Sequence, residues 1–168
     1  MSTIEIVDVC YRVVMAASAN EGGDADRLRA SSLGDDLSFL LARANALSLA
    51  AGNAALAEFG VKVRSLSVLA LASDDVRPTQ RELAEYLRLD PSQVVALVDD
   101  LSRRGLVTRA PDPNDRRVNV VVATDAGRAL HAAAHTAARR AEERLHAGLD
   151  PQRREQLRDL LREIAFPE

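Results

Sequence analysis

The sequence predicts a mainly α-helical fold carrying one small β-hairpin. Three observations lead there. Apolar residues recur at helical spacing through most of the 168 residues. Two cap signatures, at Thr79 and Asp90, open two helices in close succession. Directly after them, β-branched residues take over on both sides of a turn-rich stretch.

Each element follows in order. Ile4, Val7, Cys10, Tyr11, Val14 and Met15 fall at helical spacing, and Asn20, Gly22 and Gly23 then break the pattern. Residues 1–32 therefore read as an N-terminal arm, a short amphipathic helix with a linker. Leu33, Leu37, Leu40, Leu41, Ala44, Leu47 and Ala51 predict a first long helix within residues 33–60, ending near Gly60. Leu66, Val68, Leu69 and Ala70 form the apolar run of a central core helix.

Thr79 and Glu82 make a capping box, with Leu83, Ala84 and Leu87 turned inward. Asp90 can cap the next helix, Pro91 takes its first position and Gln93 can reach back. Val94, Leu97, Val98 and Leu101 make its apolar stripe, and Gly105 stops it. Strands are expected over residues 106–110 and 118–123, joined by a charged turn over residues 111–117. Thr124 or Asp125 caps a long helix through Leu130, Ala134, Ala141 and Leu145, whose alanines let a neighbour approach closely. Asp150 and Pro151 begin a last one, with Leu157, Leu160, Leu161 and Ile164.

A helix, two capped helices and a hairpin in that order make a winged helix-turn-helix, here within residues 61–124, followed by helices over residues 125–168. An α-helix fits the major groove of B-DNA, and its first residues meet base edges. A wing beside it can place a guanidinium in the narrow minor groove, where the negative potential is enhanced. Ser92 and Gln93 stand at the start of the second helix, where Gln pairs well with adenine. Val95 and Ala96 are expected on its outward face, suited to a thymine methyl. Thr79 and Gln80 can touch the DNA backbone from the preceding helix's N-terminus. Arg103 and Arg104 can meet phosphates, with internal pairing the alternative for Arg104. Asp99 and Asp100 make the middle of the second helix acidic, which shifts expected recognition toward its start and the wing.

Composition narrows the function. The net charge of −3 and pI of about 5.7 argue against a strongly basic, nonspecific nucleic-acid binder. Yet residues 101–117 hold Arg103, Arg104, Arg109, Arg116 and Arg117 against Asp112 and Asp115 only. Nonspecific affinity is therefore expected to be modest and salt-sensitive. Aromatics at 3% are too few for single-strand stacking platforms. One cysteine makes no intrachain disulfide, and with His131, His135 and His146 it makes no zinc site; no metal or cofactor is expected. His131 and His135 share a helix face and read as surface or interface residues. No signal-peptide pattern or membrane-length apolar run stands out, so a cytoplasmic protein without a membrane partner is expected. The motifs of common hydrolases, metalloproteases and nucleotide-binding enzymes are missing, so no enzyme is expected.

The stretch from Thr79 to Gly127 resembles the MarR family of bacterial transcription regulators. Its most specific part is RRGLVTRAPDPNDRR, residues 103–117, with Asp115, Arg116 and Arg117 in the place of the family's wing signature. The resemblance runs from about Leu37 to Ile164, about three quarters of the chain. It implies a homodimer, with residues 33–60 and 125–168 as a helical dimerisation domain and two winged lobes on a pseudo-palindromic operator of double-stranded DNA. Arg117 matches the minor-groove arginine, Asp115 braces the loop, and Arg116 and Arg109 are implied phosphate contacts. The family's usual small aromatic or anionic ligand would meet Arg43 and Arg64, and the implied function is that of a ligand-released repressor. Two alternatives stay open: a redox regulator using Cys10, and a helical dimerisation module without DNA binding. Peroxide-sensing members carry L-C-F-L-L in the first long helix. Here Ser38 stands in place of that cysteine.

Overall fold

A computed structural model of the chain describes residues 27–74 and 76–167. The amphipathic helix expected within residues 4–15, and Cys10 with it, lie outside the described residues. The chain divides into two compact units, Met1–Ala46 and Leu47–Glu168.

In the first unit a 3-10 turn, Ser32–Asp35, precedes helix α1, Leu37–Ala55, which continues into the second unit. The helix expected from Leu33 thus begins at Leu37. Asp36 is the reason: its carboxylate accepts the Phe39 N–H at 2.7 Å, satisfying one of the donors a helix start leaves unpaired.

In the second unit α1 ends at Ala55 rather than near Gly60. A 3-10 turn, Ala57–Phe59, follows, and Gly60 takes a left-handed conformation. Helix α2, Val63–Ser73, has no capping side chain of its own. Asn53 of α1 supplies the cap, accepting the Val63 N–H at 2.9 Å. Then come α3, Gln80–Leu87, and α4, Pro91–Arg103. Strands β1, Val107–Pro111, and β2, Asn119–Ala123, pair antiparallel in the register Val107 to Ala123 and Pro111 to Asn119. The Val121 N–H donates to the Pro78 carbonyl at 2.8 Å, so the chain entering α3 lies along the free edge of β2. Helices α5, Asp125–Leu145, and α6, Pro151–Ala165, complete the fold. It is mainly helical with a two-stranded wing, a winged helix-turn-helix.

The core of the lobe is apolar throughout. Val68 and Leu69 of α2, Leu83 of α3, Val94, Val98 and Leu101 of α4, Val107 of β1 and Val121 of β2 are buried together. Each such side chain contributes about 1.5–3 kcal/mol. A second cluster of Leu56, Val61, Leu66 and Ala134 ties α2 to α5. No polar or charged residue is buried among the described residues. Helix α6, by contrast, buries nothing, and Leu157, Leu160, Leu161 and Ile164 stay exposed. Among the described residues no helix is long and apolar enough to cross a membrane.

The wing is set by a junction of two glycines. Gly105 adopts φ +68° with open space around it, so its role is conformational: it ends α4 and turns the chain into β1. Gly127, in the first turn of α5, is needed for space. A Cβ there would stand 2.0 Å from the Leu106 carbonyl oxygen. Thr124 locks the same place. Its hydroxyl accepts the Gly127 N–H at 3.0 Å and donates to the Gly105 carbonyl at 2.7 Å, and its N–H donates to the Leu106 carbonyl at 3.0 Å. Arg77 and Arg88, although not glycine, adopt φ +47° and +52°. The left-handed region costs a residue with a Cβ about 1 kcal/mol.

Gly127→Ala is expected to destabilise the fold by about 3 kcal/mol, because backbone rather than a flexible side chain blocks the methyl group. Urea unfolding measures this, and an unchanged midpoint would refute the close approach.

Candidate nucleic-acid interface

The outward side of the lobe is built by α3, α4 and the hairpin. Thr79 caps α3 as the sequence predicts. Its hydroxyl accepts the Glu82 N–H at 3.1 Å, and its own N–H donates to Glu82 Oε2 at 2.7 Å. The Thr79 N–H, and then its hydroxyl, which donates to the same Oε2 at 2.8 Å, hold the Glu82 carboxyl below the usual carboxylate range. Asp90 caps α4 through the Ser92 N–H at 2.8 Å, and the Ser92 hydroxyl also donates to it at 2.5 Å. The Ser92 hydroxyl, then its N–H, lowers the Asp90 pKa. The start of α4 therefore carries a carboxylate at neutral pH, and the Ser92 proton is already engaged. Gln93 does not reach back to close a capping box; its side chain is exposed, with no partner among the described residues. Val95, 43% exposed, and Ala96 face outward beside it.

The acidic middle of α4 is neutralised from within. Asp99 pairs with Arg109 of β1. Asp100 pairs with Arg103 at 3.0 Å and Arg104 at 3.6 Å. Arg109 has a further partner. With its amide oxygen turned toward the guanidinium, Gln80 of α3 accepts from Arg109 Nε at 2.9 Å and Nη2 at 3.2 Å. One arginine thereby joins α3, α4 and the wing. Arg104 donates to the Gly60 and Phe59 carbonyls at 3.0 and 3.4 Å, tying the end of α4 to the turn before α2. The Arg103 side chain, 76% exposed, keeps most of its surface in solvent.

At the tip of the wing the backbone is folded by carboxylates. Asp112 accepts the Asn114 and Asp115 N–H groups at 2.6 and 3.2 Å, and Asp115 accepts the Arg117 N–H at 3.0 Å. The Asp115 brace on Arg117 thus runs to its backbone N–H, with no ion pair to its guanidinium. Arg116 and Arg117 are exposed and have no ion-pair partner among the described residues. The anticipated contacts therefore fall into two sets. Gln93, Val95, Ala96, Arg116 and Arg117 are open toward solvent. Thr79, Gln80, Ser92, Arg104, Arg109 and Asp115 are engaged in holding the lobe, and Arg103 is paired but exposed.

The remaining candidates lie elsewhere. Arg43 is an exposed residue of α1 in the first unit, and Arg64 an exposed residue of α2 in the second. His131 and His135 sit side by side on α5, ring centroids 5.6 Å apart. Burial first, then His135, lowers the His131 pKa, and Asp74 opposes them. Among the described residues no group of three or more metal-binding side chains comes together. Sequence reasoning missed Asn53 as the cap of α2 and Gly127 as the close approach of α5. Each depends on a residue of another element, Val63 for Asn53 and Leu106 for Gly127, so neither shows in a local pattern.

A family model described as MarR family matches residues 59–118. A MarR-family transcriptional regulator from Rhodococcus sp. RHA1 is 42% identical, with 83% of this chain and 100% of that one covered and a TM-score of 0.76. CouR from Rhodococcus jostii RHA1, solved bound to p-coumaroyl-CoA, is 44% identical over 83% of this chain and 98% of its own, with a TM-score of 0.75. Wild-type MarR from E. coli is 25% identical over 77% and 96%, with a TM-score of 0.67. Comparison with curated proteins finds no match.

The pairing of Asp99 with Arg109 predicts a measurable coupling. A double-mutant cycle of Asp99→Asn and Arg109→Gln, read by urea unfolding, is expected to give about 0.5–1 kcal/mol of favourable interaction. Strict additivity of the two changes would remove the strut.

Proposed function

The chain belongs to the MarR family of transcriptional regulators, and from that premise we propose that it is a cytoplasmic repressor whose homodimer binds a pseudo-palindromic operator. The observation that carries this reading is the pair of exposed arginines, Arg116 and Arg117, without an ion-pair partner among the described residues, on a tip folded by Asp112 and Asp115. The tip follows α4, whose first turns present Gln93, Val95 and Ala96. Gln93 and the wing read the site, and the paired arginines hold the frame. Arg103, exposed at the end of α4, reaches phosphate with modest effect.

The exposed apolar face of α6 supports self-association, since an uncovered row of Leu157, Leu160, Leu161 and Ile164 is costly in water. With a symmetric dimer, two wings meet two half-sites one helical turn apart, about 34 Å. Release follows from a small ligand that favours a lobe spacing mismatched to the operator. The likeness to CouR, solved with p-coumaroyl-CoA, supports an aromatic anion as that ligand. Arg64 of the second unit is the cation assigned to it, and Arg43 of the first unit is a separate candidate.

Binding-site selection from a random duplex pool tests the reading. The expected result is one inverted-repeat sequence bound by two chains in sedimentation. Failure to enrich any sequence, or binding as a monomer, would reject it. On the selected duplex, replacing both Arg116 and Arg117 by Ala is expected to weaken binding and to flatten the salt slope by about 0.9 for each phosphate left unneutralised. An identical slope would remove the wing from the mechanism. Added p-coumaroyl-CoA, followed by fluorescence anisotropy, is expected to release the duplex from the wild type and less effectively from Arg64→Ala. Equal release from both would take Arg64 out of the ligand site.

A further inference from the structure

We infer that Arg88, in the turn between α3 and α4, is a DNA-phosphate contact. The inference rests on the operator-binding reading and adds a residue to it.

Three observations meet at this position. First, Arg88 closes α3 in the left-handed conformation, with φ +52° and ψ +45°. Helix ends of this kind favour glycine or asparagine, because a Cβ is strained there. The backbone does not need the side chain. The Arg88 N–H reaches the Ala84 and Glu85 carbonyls, and the Leu89 N–H reaches Ala84, whatever residue stands at 88. An arginine kept at a site where glycine would be more stable points to a task for its guanidinium.

Second, that guanidinium is exposed and unpaired among the described residues. Its neighbours are not. Arg81 pairs with Glu85, Arg103 and Arg104 with Asp100, and Arg109 with Asp99. The lobe satisfies the charges that hold its frame and leaves this one open among the described residues, as it leaves Arg77, Arg116 and Arg117.

Third, the start of α4 lacks a positive charge of its own. Asp90 carries a carboxylate there and engages the Ser92 hydroxyl. A phosphate approaching this helix start meets a like charge, which the helix N-terminus offsets only in part. Arg88 precedes Asp90 by one intervening residue, Leu89. It supplies the missing cation where the turn comes alongside the backbone of the duplex.

Arg88→Gly separates this role from a structural one, because the two predict opposite signs. Relief of the backbone strain is expected to raise Tm by about 2–4 °C. Removal of the guanidinium is expected to weaken binding to a mixed-sequence duplex of about 40 base pairs. The salt slope should fall by about 1 per subunit. Arg88→Asn, neutral but tolerant of the left-handed conformation, is expected to behave likewise. Arg88→Lys is expected to keep the slope. A wild-type slope in both neutral variants, with the wild type itself binding duplex, would overturn the contact and leave the operator reading standing. No duplex binding by the wild type would overturn both.

Discussion

The winged lobe depends on the close approach of α5 to the corner where α4 turns into β1. Four element ends meet there: α4 finishes, β1 begins, β2 finishes and α5 begins. Gly105 allows the turn and Gly127 allows the approach. Thr124 ties both sides with its hydroxyl and its N–H. Because the groups involved are backbone, the geometry has little room to relax. The direction of the wing relative to α4 follows from it, and so does the place where Arg116 and Arg117 are presented to solvent.

Charge in the lobe is divided by the same logic. Five arginines between residues 101 and 117 look like a basic surface in an acidic protein. In the fold, Arg103, Arg104 and Arg109 neutralise Asp99 and Asp100 in the middle of α4. Arg109 gains a second role through Gln80, joining three elements with one side chain. What remains open toward solvent is a small set at the edges of the lobe.

Much of this was legible in the sequence because it is local. The capping box at Thr79, the cap at Asp90, the proline at the first position of α4 and the stop at Gly105 each act within a few residues. The wing was legible for the same reason, since β-branched residues on both sides of a turn-rich stretch need no tertiary information. The helix starting at Leu33 was misjudged because leucine spacing ran on past a local competitor, the Asp36 cap. The cap of α2 by Asn53 was invisible, because donor and acceptor lie on different helices.

The sequence by itself determined the element order, the caps, the apolar stripes and the charged tip, all of them set by short-range sterics and periodic burial. Only the tertiary structure decided which charges are available. Arg109 and Arg116 are chemically identical in the sequence. Packing brings Asp99 and Gln80 to the first and, among the described residues, no acid to the second. The use of Gly127 was likewise decided in three dimensions, because the obstacle it avoids, the Leu106 carbonyl, belongs to another element.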